Sequence, residues 1–285
     1  MSLGILNNIS ALYAQNSLNS TQASLSKTLQ QLSSGSRINS GADDAAGLAV
    51  ADGLTANSTA LAQSTRNASD AIGLLQTADG ALSQVTSLLT RAVTLATQAS
   101  NTTLTGSQIS SANQEYQNIL TQINNIGTAT NFNGNAVFTN TANTFTISDG
   151  TTSGTISYSD TVGALSTASV GTTTGNGPGV DFTDPTIATL DATTAKAVLP
   201  ALGTAIANVS FQRGNVGADI NQLSSAQQVA ATEQTNLTAA QNNITATDFG
   251  QAASDLSKFQ VLSQTGISAL AQANSVQQEV LKLLQ

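Results

Sequence analysis

The sequence predicts a mainly α-helical protein: a long antiparallel coiled-coil helical bundle formed by both chain ends, with a small β-hairpin region in the middle. Three observations carry this. Pro178, Pro185 and Pro200 are the only prolines in 285 residues, and the first 177 residues have none. Proline breaks helices, so 1–127 and 192–285 are free to be helical. Apolar residues recur at coiled-coil spacing through both regions, whereas the segment between them is rich in Thr and Gly.

Each element follows from its local pattern. Ile5, Ile9 and Leu12, then Leu18, Leu25, Leu29 and Leu32, make a loose apolar row near the N-terminus. Leu75, Leu82, Leu89 and Ala96 stand seven apart, interleaved with Ala78, Val85, Ala92 and Ala99. Ile109, Tyr116 and Ile123 repeat the spacing, with Ala112, Ile119 and Ile126 in the second register. Phe145-Thr-Ile-Ser and Thr155-Ile-Ser-Tyr alternate around a turn holding Asp149-Gly150 and Gly154, the signature of a β-hairpin. Residues 163–190 read as a Gly/Thr-rich loop with room for one further short strand. Val209, Val216, Leu223, Ala230, Leu237 and Ile244 then hold one register for six heptads. The last helix has Phe259, Gly266, Ala273 and Val280 in one register and Leu262, Ala269, Val276 and Leu283 in the other. A 3.5-residue period over such lengths implies helices lying nearly parallel along a shared seam.

Composition excludes much chemistry. The chain has no Cys, His or Trp, so zinc sites of the usual ligand set, His-dependent nucleophiles and disulfides are excluded. No Walker A or GxGxxG loop occurs. A net charge of −8 with eight scattered basic residues argues against nucleic acid. No apolar run approaches the roughly 18 residues of a membrane span. No secretory signal is expected, because the first basic residue is Lys27 and polar residues interrupt the stretch before it. No catalytic residue, metal or cofactor is expected, and the chain reads as no enzyme.

The absence of charge is itself informative. Charged residues are 8% of the chain, and Ser, Thr, Asn and Gln make up about two residues in five. Autonomous coiled coils carry Glu and Lys beside the seam; here the flanks are small and neutral, and the register opposite the Val209 row decays into Gln227, Gln234 and Gln241. Small neutral side chains are cheaper to desolvate than unpaired charges. Such faces suit helices covered on several sides by other copies. The terminal stretch from Ile267 to Gln285 is apolar around much of its circumference, and burying each large side chain stabilises by about 1.5–3 kcal/mol. These ends are expected to fray alone and order on polymerisation.

The stretch Leu32-Ser-Ser-Gly-Ser-Arg-Ile-Asn-Ser-Gly-Ala-Asp-Asp-Ala-Ala-Gly-Leu-Ala-Val-Ala51 resembles the signature of bacterial flagellin. Ala71-Ile-Gly-Leu-Leu-Gln-Thr-Ala-Asp-Gly-Ala-Leu82, Asn131-Phe-Asn-Gly134, Ala269-Leu-Ala-Gln-Ala-Asn274 and Val280-Leu-Lys-Leu-Leu284 are similar to the same family. The resemblance covers about three quarters of the chain. It implies an inner terminal-helix domain of 1–40 plus 248–285 and a rod-like helical domain of 41–247, with a hairpin near 144–160 and a loop at 163–190. No separate outer domain is expected. Gln31, Ala42, Asn242 and Asn243 depart from positions where the family often has basic residues or Ser-Arg, which affects the usual inter-subunit salt bridges.

By resemblance, the subunit-interface residues are Leu6, Ile9, Leu12, Leu18, Arg37, Asp43, Asp44, Leu262, Leu270, Val276, Val280 and Leu283. Asp43 and Asp44 have two readings: capping of the following helix, or contact with a neighbouring subunit. An acid/base role lacks any partner group. Arg37 reads either as bridged to Asp43 or Asp44, in its own or an adjacent subunit, or as solvated. Gly35 and Gly41 supply non-helical geometry between the helices. Arg91, Leu95 and Glu115 match positions contacted by the innate immune receptor for flagellin; Thr90, Val93 and Thr94 replace larger or charged residues there and imply a weakened response. The sequons at Asn8, Asn67, Asn208 and Asn236 read as chance, and Ser and Thr in 139–194 are candidates for O-glycosylation.

The resemblance therefore implies a structural subunit of the bacterial flagellar filament, self-assembling helically into a hollow propeller. Its implied partners are further copies of itself, the hook-associated junction and cap proteins and an export chaperone. It implies an extracellular location reached through type III export without a cleaved signal. A hook–filament junction protein is the runner-up, and a flagellin-like surface protein binding polysaccharide is a second alternative.

Overall fold

A computed structural model of the chain describes residues 8–151, 154–172 and 178–283. It comprises five helices and two strand pairs: α1 Ile9–Ser34, α2 Ala45–Ala99, α3 Gly106–Ala129, β1 Asn131–Phe132, β2 Asn135–Ala136, β3 Asn143–Ser148, β4 Thr155–Asp160, α4 Ala195–Thr245 and α5 Phe249–Leu283. The chain divides into two compact units, Met1–Ala56 with Asn236–Gln285, and Asn57–Thr235. The fold is mainly helical with small antiparallel strand pairs in the middle, as the sequence predicts.

The Asn57–Thr235 unit holds the main core. Leu75, Leu82 and Leu89 on α2, with Ala78, Val85, Ala92, Ala96 and Ala99, are fully buried. Tyr116, Ile119 and Ile123 on α3 and Leu202, Val209, Val216, Leu223 and Ala230 on α4 are buried too. The heptad rows of these three helices are therefore core rows. Two polar ties fix α2 and α4 antiparallel: Arg213 Nε donates to Asp79 at 2.8 Å, and Gln227 Nε2 donates to Ser69 Oγ at 2.8 Å. Pro200 lies inside α4, in its second turn. Its ring fixes φ near the helical value and removes one backbone donor there, so proline position is a looser helix boundary than the sequence alone suggests.

The β3–β4 hairpin pairs Phe145 with Tyr158 and Ile147 with Ile156. Its turn is set by Asp149, which accepts from Thr151 N at 2.8 Å, and by Gly150 at φ 87°. The smaller β1–β2 pair turns through Asn133 (φ 50°) and Gly134 (φ 81°), the two positive-φ positions of a type I′ hairpin. The Asn-Gly signal for this turn is present in the sequence, within the Asn131–Gly134 motif.

The described parts of the 163–190 loop, with Val162 just before it, pack against the core. Val162, Leu165, Val170, Phe182 and Leu190 are buried. Tyr116 Oη donates to Ile187 O at 2.9 Å, and Leu190 N donates to Asn113 Oδ1 at 2.8 Å. Among the described residues this loop contributes isolated bridges, Ser166 to Ser169 and Val170 to Val180, and no further strand.

In the other unit, α1 and α5 run antiparallel. Asn8 Nδ2 donates to Ala273 O at 2.9 Å at one end, and Gly35 lies beside the Phe249 ring at the other. Gly35 ends α1 with φ 70°, its N–H bonded to Gln31 O at 2.9 Å, the left-handed cap that glycine favours. Gly41 has no positive φ, so only the first of the two expected glycines is needed for that geometry.

Candidate functional site: the terminal helix pair and its junction

The seam between α1 and α5 mixes small residues with leucines. The covered positions of α1 run Ala11, Ala14, Leu18, Thr21, Leu25, Thr28 and Leu32, at alternating three- and four-residue steps. The expected apolar row divides: Leu18, Leu25 and Leu32 are covered, whereas Ile9, Leu12 and Leu29 are 63%, 58% and 49% exposed. On α5 the Phe259, Gly266 and Ala273 register is half-buried, while Leu262, Ala269 and Val276 are exposed. One helix pair can cover only one stripe per helix, so the second stripe remains open. Tyr13, Val261 and Ile267 are open as well, each more than half exposed. Reading the α1 period from Ala11, rather than from the largest apolar residues, separates this stripe from the seam.

The expected interface residues therefore divide. Ile9, Leu12, Leu262 and Val276 are exposed; Leu18 and Leu270 are half-buried. Leu18 faces Gly266, where an added Cβ would stand 3.2 Å from Leu18 Cδ1. Leu6 and the side chains of Val280 and Leu283 lie outside the described residues.

The charged residues of the signature make bonds within the chain. Asp44 accepts from Gly47 N at 2.8 Å and so caps the start of α2. A Cβ on Gly47 would press on the Asp44 carboxylate and on Ile38 Cδ1, so a larger residue there must shift the cap. Asp43 pairs with Lys27 Nζ at 2.8 Å and accepts from Asn39 N, Ser40 N and Ser40 Oγ. The Lys27 bond first, then the backbone donors, lower its pKa to about 2. Nothing local in the sequence marks Lys27 as this partner, because the two residues are sixteen apart across a loop whose path no pattern records.

Arg37 pairs with neither aspartate of its own chain. Its Nη2 donates to Ile244 O at 2.8 Å and its backbone N to Thr245 O at 2.7 Å. These carbonyls end α4, where the helix leaves acceptors unsatisfied and carries partial negative charge.

Arg91 and Glu115 are exposed and paired to each other, with N–O distances of 2.7 and 3.1 Å, which lowers the Glu115 pKa and raises that of Arg91. Leu95 is 2% exposed and belongs to the core. The expected exposed face thus keeps Arg91 and Glu115 but not Leu95. Among the described residues no three His, Cys, Asp or Glu group to hold a metal ion, and no helix is long and apolar enough to cross a membrane.

The family described as bacterial flagellin N-terminal helical region matches residues 5–143, and that described as bacterial flagellin C-terminal helical region matches 199–284. A flagellin of Serratia marcescens is 53% identical over 75 residues, 26% of this chain and 21% of that protein. One of Bordetella bronchiseptica is 47% identical over 87 residues, 30% of this chain and 22% of that protein. The matched stretches thus span about a fifth of these curated relatives. The crystal structure of Bacillus cereus flagellin is 32% identical, with 62% of this chain and 94% of that chain covered and a TM-score of 0.46. With both helical regions matched in order on either side of the hairpin, the chain belongs to the bacterial flagellins.

Proposed function

We propose that the chain is a structural subunit of the bacterial flagellar filament, polymerising with copies of itself into an extracellular hollow helix. The single observation that carries this is the set of exposed apolar side chains on α1 and α5: Ile9, Leu12, Tyr13, Val261, Leu262, Ile267 and Val276. Most residues around them are neutral and polar, Asp255 and Lys258 being the charged neighbours of Leu262, so a second copy covers this surface with few charges to desolvate. Heterologous contacts that do not close generate an open helix of subunits. On this reading 1–40 plus 248–285 form the inner domain and 41–247 the surrounding rod. Junction and cap proteins and an export chaperone are the partners the family suggests, with type III export as the route. The mutual pairing of Arg91 and Glu115 and the burial of Leu95 support a weak immune-receptor response.

The test is seeded elongation. Purified monomer is mixed with sonicated filament fragments and followed by electron microscopy. Long filaments growing from seeds are expected; capped seeds that stop growing would instead favour a junction protein.

A further inference from the structure

We infer that Arg37 is a positioning residue for assembly: its guanidinium clamps the last turn of α4 to the loop after α1, fixing how α5 leaves that last turn. The inference rests on the filament reading and assigns Arg37 a role inside its own subunit, in place of an ion pair with Asp43 or Asp44.

The junction where α4 gives way to α5 is laced by hydrogen bonds. Arg37 Nη2 reaches Ile244 O at 2.8 Å, Arg37 N reaches Thr245 O at 2.7 Å, and Ser36 Oγ reaches Thr245 O at 3.1 Å. Thr247 N returns a bond to Gly35 O at 3.1 Å, making an isolated bridge between Ser36 and Ala246. Gln31 Nε2 closes the ring on Arg37 O at 2.9 Å. The apolar contribution beside it is small: Ile38 is buried, but Phe249 is 57% exposed. The direction of departure of α5 therefore depends on directional bonds, of which the guanidinium makes the one charge-assisted contact. A cation also matches the negative end of α4. Because Arg37 is exposed, removing it opens no cavity in the core.

The full-length chain, Arg37→Ala and Arg37→Lys are compared in three measurements: monomer thermal unfolding, amide exchange at Arg37 and Thr247, and elongation from wild-type seeds with the helical twist measured by electron microscopy. For Arg37→Ala we expect an unchanged main unfolding transition, faster exchange at both amides, and either at least tenfold slower elongation or an altered twist. Arg37→Lys restores most of the elongation, since an ammonium can still donate to Ile244 O. Wild-type exchange at both amides in Arg37→Ala would overturn the clamp, whatever happens in assembly. Faster exchange together with wild-type elongation and twist would overturn its role in positioning, as would an assembly defect matched by a lowered monomer transition or left unrescued by Lys. If the wild-type chain fails to elongate from its own seeds, the filament reading fails, and the exchange result still decides the clamp.

Discussion

Leu18 on α1 lies closely over Gly266 on α5: a Cβ on Gly266 would approach Leu18 Cδ1 to 3.2 Å. The pair helps set the register of a seam whose other α1 positions are Ala, Thr and Leu. The Gly266→Val variant must therefore push the helices apart or shift their register. Overpacking of this kind costs about 1–3 kcal/mol. The expected outcome is loss of helical signal from α1 and α5 in far-UV circular dichroism, with the unfolding transition of the Asn57–Thr235 unit retained. Full helicity at room temperature would show that the seam tolerates a wider spacing.

Asp43 carries the pH dependence of the junction. Its folded pKa, about 2 against an ordinary 3.8, is depressed by Lys27 and by the Asn39 and Ser40 donors. A depressed carboxylate contributes stability that is present above 3.8 and lost as pH falls toward 2. Asp43→Asn should weaken the terminal unit at neutral pH and flatten its response across that acid window. Helicity of the two chains followed by circular dichroism over that range tests this, and parallel acid profiles would remove Asp43 as the cause.

Tyr116 anchors the long loop. Its ring is fully buried and its hydroxyl donates to Ile187 O at 2.9 Å, while burial pushes its pKa up. Tyr116→Phe keeps the packing and leaves the carbonyl without this donor, which should cost about 0.5–1.5 kcal/mol. Urea unfolding measures it, and Ile187 and Leu190 should lose amide protection before the helices do.

Much of the fold is legible in the amino-acid sequence. The Leu75–Ala96 and Val209–Ala230 rows report a dense helical core, and all their residues at heptad spacing are buried. The β3–β4 hairpin shows in its alternation and its Asp-Gly turn. The terminal helices are harder. In α1 the large apolar residues fall on both faces, Leu18, Leu25 and Leu32 in the seam and Ile9, Leu12 and Leu29 outside it, so hydrophobicity alone does not select the seam. The long loop carries its order in side chain–backbone bonds from Tyr116, Gln117 and Asn113, which no local pattern records. For Arg37, the sequence offers two nearby carboxylates and no sign that two carbonyls more than 200 residues away are the partners.

The central claim is that the exposed apolar side chains of α1 and α5 drive subunit addition, and a Leu12→Ser, Val261→Ser double variant tests it most directly. Both side chains are solvent-exposed in the subunit, at 58% and 66%, so the monomer should keep its helicity and its unfolding transition. Covering each by a neighbour stabilises addition by about 1.5–3 kcal/mol, so removing both should raise the critical concentration for seeded elongation roughly a hundredfold or more. A double variant that elongates at the wild-type critical concentration would contradict the account.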